Sequence, residues 1–195
     1  MAGTGWAEVC EYCGCREVPA IGELMDEHTA LVDQAHRVRQ DLSAGNPAAA
    51  MSRLDSLVAD LERHVHREED GIFRALRVAG DFVDEVDELE GEHRDLAAVI
   101  AGLDVDSPDF ESQVSRLLDD LAVHVEREDL GIFPVSVVTL GADGWAIIER
   151  AHHESPSFLL DPRTPEPGDD HDAARIPDST DLASSRDGTD SLQRP

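Results

Sequence analysis

No stretch of this chain is apolar for long enough to cross a bilayer, and no charged segment followed by an apolar one opens it. A membrane-spanning protein is therefore not expected, and a cytoplasmic location is. Basic residues are scarce: sixteen Lys and Arg stand against forty-three Asp and Glu, for a net charge of −27. Such a surface repels phosphate backbones and anionic lipid, so neither nucleic acid nor membrane is an expected partner. Cysteine is confined to Cys10, Cys13 and Cys15, within CEYCGC. Three crowded thiols do not make a secreted disulfide framework and suit a reducing compartment. Aromatics are sparse and no segment alternates with period two, which leaves no sign of a sheet.

What is present is helical punctuation. Pro19 precedes a segment in which Ile21, Leu24, Leu31, Val32, Ala35 and Val38 recur at three-and-four spacing until SAGNP stops it. Asn46 and Pro47 have the form of an N-cap and first helical residue, and one apolar stripe then runs from Leu54 through Val65 and Phe73 to Leu76, ahead of Gly80. A third helix spans about 82 to 103, and a fourth stripe runs from Val114 to Phe133 after the break DVDSPDF. A short fifth segment covers 143 to 154. The expected fold class is all-α, an antiparallel up-and-down four-helix bundle. We expect it to occupy 18–154, after an irregular cysteine-bearing extension over 1–17. The remainder, 155–195, holds six of the ten prolines, nine acids and four arginines, and is expected to be a disordered acidic tail.

The chain also repeats itself. HVHREEDGIF at 64–73 returns as HVEREDLGIF at 124–133, identical at seven of ten positions, and EHTAL at 27–31 returns as EHRDL at 92–96. Each half thus carries Glu-His-x-x-Leu on one helix and His-x-x-x-Glu on the next, a duplicated helical hairpin. Residues four apart share a helix face, so His64 projects with Glu68, and His124 with Glu128. Core residues flank both pairs, and they should face inward. Two such hairpins can bring His28, His64, His93 and His124 together with two glutamates. Two carboxylates buried side by side without a cation cost several kcal/mol per charge. A bound metal removes that penalty.

Six nitrogen and oxygen ligands exceed what one tetrahedral zinc takes, and no thiolate is among them. They suit two first-row ions, with the glutamates spanning both and each imidazole capping one. Iron fits this donor set best, ahead of manganese or zinc. One histidine on an apolar helix face is ordinarily a hydrogen-bonded core residue; four in matched pairs are not. His66 falls on a different face from His64 and is expected at the surface, while His36, His152 and His153 have no matched partner and are not expected to bind metal. Asp60 and Asp120, four residues ahead of the motif histidines, either orient the imidazoles or are solvated acids. Gly71 and Gly131 allow close helix packing or a channel. The cysteine cluster has the spacing of a fragment of a zinc or iron–sulfur site, or of a redox-active pair.

The segments DEH, HVHREEDGIF, GEH and HVEREDLGIFP resemble the hemerythrin-like, HHE-type cation-binding family over about 18 to 140. The resemblance implies a four-helix bundle with a carboxylate-bridged di-iron centre and an exogenous ligand such as dioxygen, nitric oxide or peroxide. Under it, His28, His64, His93 and His124 are terminal ligands and Glu68 and Glu128 bridges. Animal hemerythrins carry a further histidine four residues from the one on the third helix; here those positions are Leu89 and Ala97. One ion is then short of a protein ligand, a gap that water, a ligand or a carboxylate such as Glu90 would fill. The expected function is a di-iron binding protein in sensing or in defence against oxidative or nitrosative stress. The alternatives are an enzyme acting on peroxide or nitric oxide, and an iron-sensing or iron-centre repair protein.

Overall fold

The computed structural model describes residues 14–161. Its principal elements are helices α1 (Pro19–Ser43), α2 (Pro47–Glu68), α3 (Arg74–Ala79), α4 (Val83–Ala101), α5 (Phe110–Arg127), α6 (Phe133–Thr139) and α7 (Ala142–Glu154). Two π-turns, Glu69–Phe73 and Glu128–Ile132, join α2 to α3 and α5 to α6 without a break in the rod. Short 3-10 turns at Cys15–Glu17 and Phe158–Leu160 flank the set. The described residues contain no strand, as the missing period-two pattern implies.

Helix boundaries follow local chemistry. The Asn46 side chain accepts a hydrogen bond from the Ala49 amide at 3.2 Å, which satisfies one of the free donors at the start of α2, and Pro47 occupies the first turn, where its missing N–H costs nothing. Gly80 ends α3 in the left-handed region at φ 78°, and its amide returns to the carbonyls of Leu76 and Arg77.

Helix α1 lies along α2, α4 lies against α5, and α1 also meets α5. The buried apolar residues fall into two clusters. One contains Leu31, Val38, Leu54, Leu61, Val114 and Leu121; the other contains Ile21, Leu24, Phe73, Leu89, Phe133 and Ile148. Along α1 and α4 the second cluster comes first and the first follows; α2 and α5 belong to the first, and the second resumes in the π-turns and helices that continue them. Between the clusters lies a layer of buried polar side chains: Glu27, His28, His64, Glu68, His93, His124 and Glu128. The bundle therefore has an apolar core at either end and a charged layer across its middle.

The π-turns are a feature that the apolar periodicity does not reveal. A straight α-helix rotates about 100° per residue, so Phe73, five residues after Glu68, would sit about 140° around the axis; a π-turn absorbs one extra residue and cuts that to about 40°. Each turn thus brings the phenylalanine of its motif onto the face that carries the glutamate.

The packed region also runs past its expected limits. At one end Cys15 is buried and disulfide-bonded, in contrast to the free thiols expected of a reducing compartment; Cys10 and Cys13 lie outside the described residues. At the other, Phe158 is 2% exposed and belongs to the first apolar cluster, and Arg63 pairs with Asp161, so the chain stays packed beyond residue 154. Most of the expected tail lies outside the described residues. Replacing Phe158→Ala is expected to destabilise the fold by about 3 to 5 kcal/mol, as for other buried phenylalanines. Urea unfolding will measure this; a loss under about 1 kcal/mol would mean that the segment after α7 does not contribute to the core.

Candidate metal centre

Glu68 is the last residue of α2 and Glu128 the first of the π-turn after α5, and both are completely buried. His64 and His124, one turn earlier, each place Nε2 3.2 Å from the carboxylate of their own motif. His28 enters from α1 with Nε2 3.2 Å from Glu128 and 3.5 Å from Glu68. His93 enters from α4, with Nε2 3.5 Å from Glu68 and 3.8 Å from Glu128. All six residues expected from the sequence are therefore brought together. They form two groups, His28–His64–Glu68–Glu128 and Glu68–His93–His124–Glu128, each able to offer ligand atoms within 4.8 Å of one another. The two groups share both glutamates.

Behind every imidazole stands a carboxylate that sequence reasoning did not assign. Nδ1 of His64 lies 2.7 Å from Glu27, that of His124 2.7 Å from Glu92, that of His28 2.8 Å from Asp129 and that of His93 3.0 Å from Glu69. An ionised carboxylate only accepts, so each Nδ1 carries the proton and each Nε2 turns a lone pair inward. Glu27 and Glu92 are held in turn by Arg67 and Arg127. The repeat contained the signal, because Glu27–His28 and Glu92–His93 match, as do Arg67 and Arg127. Asp60 and Asp120 do not play this part: Asp60 accepts a hydrogen bond from Gln34 and Asp120 is exposed. Glu90 pairs with Arg77 and Arg94 and belongs to neither ligand group.

The repeated Gly-Ile-Phe acquires a role here as well. Phe133 stacks on His28 with ring centres 5.4 Å apart, and Phe73 stacks on His93 at 5.7 Å. Each phenylalanine thus steadies an imidazole supplied by the other hairpin. His66 is exposed and pairs with Asp70, off the site. His152 reaches Arg67 at 2.9 Å and Glu23 at 3.1 Å without joining the ligand groups. Gly71 packs against the Ala151 side chain, whereas nothing crowds Gly131.

Both oxygens of Glu68, both of Glu128, and Nε2 of His28 and His64 have no hydrogen-bond partner although fully buried. Nε2 of His93 and of His124 approach each other to 2.9 Å. Inward lone pairs at these separations repel unless a cation or a proton lies among them. Without metal, protons take that part. Burial opposes charge on His28, yet the hydrogen bond to Asp129 and the nearby carboxylates of Glu128 and Glu68 hold its pKa well above the ordinary value. His93 is desolvated too, but Glu68 and Glu128 carry it from 6.5 to about 9. Glu68 is held well below the usual carboxylate range despite its burial, chiefly by the charge of His64. A multivalent cation would replace these protons, and a nitrogen–oxygen donor set without thiolate fits one.

A family model for the Hemerythrin HHE cation binding domain matches residues 20–136 of the 195. No curated protein and no solved structure matches the chain.

Two outcomes are expected of this centre. Glu27→Gln and Glu92→Gln should each weaken metal binding about 10- to 100-fold in a chelator competition, since carboxylates behind a ligating imidazole set its orientation and basicity. In metal-free protein, His93 contributes stability below its ordinary value of 6.5, and that contribution is lost as pH rises through about 9. Glu68, whose value is lowered, contributes above the usual carboxylate range and loses its share in acid. The urea midpoint of metal-free protein should therefore fall on both sides of neutrality, and bound metal should flatten the alkaline decline.

Proposed function

The chain belongs to the hemerythrin HHE cation-binding family, and we propose that it is a non-heme di-iron protein that binds a small diatomic or peroxide ligand. In this reading His28, His64, His93 and His124 are terminal ligands, Glu68 and Glu128 bridge two irons, and the two hairpins form an antiparallel up-and-down bundle around them. The observation that carries it is the pair of four-residue groups sharing both glutamates, whose buried oxygens have no other partner. Two irons would be held by two imidazoles each and by both carboxylates, which accounts for every inward donor atom. A single zinc would leave half of them unpaired.

The protein's own groups would hold the site rather than react. Glu27, Asp129, Glu69 and Glu92 fix the imidazoles, Phe73 and Phe133 flank them, and the apolar clusters exclude bulk water from either end. When bound, iron supplies redox chemistry and open coordination positions for an exogenous ligand. The role is sensing, or defence against oxidative or nitrosative stress, and the location is cytoplasmic. Among the described residues, no helix is long and apolar enough to cross a membrane.

A second reading, turnover of peroxide or nitric oxide, draws support from Leu89. It and Ala97 stand four residues either side of His93, and with no imidazole at either position one ion would have fewer protein ligands.

Elemental analysis is expected to find about two irons per chain, as in other carboxylate–histidine bundles. The double substitution Glu68→Ala, Glu128→Ala should abolish both; retention of two would end the bridging assignment. An oxygen electrode separates the two readings. Metal-dependent oxygen evolution from hydrogen peroxide supports turnover, whereas no evolution, together with a visible band that appears with oxygen and reverses on its removal, supports binding.

A further inference from the structure

The two hairpins match position by position: His64 corresponds to His124, sixty residues on, and His28 to His93, sixty-five residues on. Each surface of one hairpin therefore has a counterpart on the other. On the first hairpin one such surface is covered. Helix α7 lies there against α1, the Glu69–Phe73 turn and α3, with Ala151 3.5 Å from where a side chain on Gly71 would begin. An apolar stripe makes the contact: Ile148 and Ala151 are buried, and Trp145 and Ile147 pack beside them.

The matching surface of the second hairpin carries no helix among the described residues. Nothing lies within 4 Å of a side chain placed on Gly131, and an open groove of about 600 Å3 takes the place of α7. Arg127, Gly131 and Val135, the counterparts of Arg67, Gly71 and Ala75, form one wall; Leu89, the counterpart of Leu24, belongs to the other. Three further lining residues differ in kind between the repeats. Phe82, Val123 and Leu130 stand where the first hairpin has Glu17, Arg63 and Asp70. They are 37%, 58% and 44% exposed, so the second hairpin shows solvent an apolar surface at positions that are charged on the first. Single exposed apolar residues are ordinary, but several around one groove mark a site of association. Phe82 also holds a left-handed backbone, at φ 53°, an uncommon conformation for a bulky residue.

The rim decides what fits. Glu85 and Glu126 line the groove, and Arg127, the one cation among its lining residues, is already paired with Glu88 and Glu92. The rim is therefore net acidic. A second copy of the chain, at a net charge of −27, would bring like charge to it. So would the chain's own residues 162–195, which hold eight acids against four arginines. A basic amphipathic helix meets both demands, with an apolar stripe at i, i+3 and i+7 for the walls and Lys or Arg on its flanks for the acids.

We propose that this groove is the docking site for a basic amphipathic helix of a protein partner, seated against Gly131 as α7 is seated against Gly71. The stripe of the incoming helix covers Phe82, Val123, Leu130 and Val135, and its basic flank faces Glu85 and Glu126. A small residue falls opposite Gly131, as Ala151 falls opposite Gly71. Docking covers the partly exposed Arg127–Glu92 pair, whose counterpart Arg67–Glu27 is completely buried. The inference concerns the outer surface of the bundle and is independent of the metal that the centre holds.

The full chain is tested with a defined probe, a fluorescein-labelled peptide of residues 142–154 carrying D143K, E149K and E154K. These three positions are exposed on α7, so the peptide keeps the apolar stripe and gains a basic outer face. Fluorescence anisotropy should show saturable binding that weakens as salt is added. Leu130→Gln, which removes a wall contact, should weaken binding about tenfold or more. Gly131→Gln, which fills the seat, should do the same. Glu85→Lys with Glu126→Lys should weaken it about tenfold and remove most of the salt dependence. Val138→Gln, on α6 at an exposed position outside the groove, should leave it unchanged. The unmodified acidic peptide should bind at least about tenfold more weakly. All the substituted positions lie at the surface, and if one variant fails to fold, as read by circular dichroism, the remaining ones decide the matter. Absence of binding, equal binding of the acidic peptide, or binding indifferent to Leu130→Gln and Gly131→Gln overturns the inference. So does a dimer of the parent chain in sedimentation that Gly131→Gln abolishes, which gives the groove to a second copy, or displacement of the probe by a lower concentration of a peptide of residues 162–195, which gives it to the chain's own tail.

Discussion

Two carboxylates buried against each other set the terms for everything around them. Glu68 and Glu128 have no exposed surface, and none of their four oxygens has a hydrogen-bond partner. Isolated from water, a pair of like charges is tolerable only where positive charge is supplied at close range. Four imidazoles surround them, each with its second nitrogen tied to a further carboxylate. The cluster can therefore hold positive charge in two forms, as protons on the histidines or as cations between them. Exchange between these forms links metal loading to pH, because a cation enters only as protons leave.

The rest of the fold supports this layer mechanically. Apolar clusters on either side fix the helix spacing and keep water out. The π-turns spend a residue in each hairpin to bring a phenylalanine round to the neighbouring imidazole, a reason to keep a costlier hydrogen-bond pattern directly after each glutamate. Duplication explains why these devices come in pairs and why the site has approximate two-fold symmetry. It also makes the exception stand out, because α7 covers the first hairpin only.

Much of the centre was legible in the sequence because its signals are local. His-x-x-x-Glu places an imidazole and a carboxylate on one face by helix geometry alone, and its repetition with a matched Glu-His on the preceding helix identified all six residues that converge. Helix starts at Pro19 and Asn46 were equally readable, since capping depends on a few adjacent residues. The carboxylates behind the histidines were not assigned. Asp60 and Asp120 satisfy the same i, i+4 spacing that pairs each histidine with its glutamate, yet the partners of His64 and His124 are Glu27 and Glu92, 37 and 32 residues away in the chain.

The sequence by itself determined the helical class, the doubled hairpin and the identity of the converging histidines and glutamates, because each follows from periodicity and spacing within a single helix. Only the tertiary structure decided which carboxylate backs which imidazole, where the π-turns fall, how far the packed chain extends, and that one face of the centre is sealed by α7 while the other is open. Those features depend on the rotation and separation of neighbouring helices. Such quantities emerge from the packing of the whole core, and no short stretch of residues encodes them.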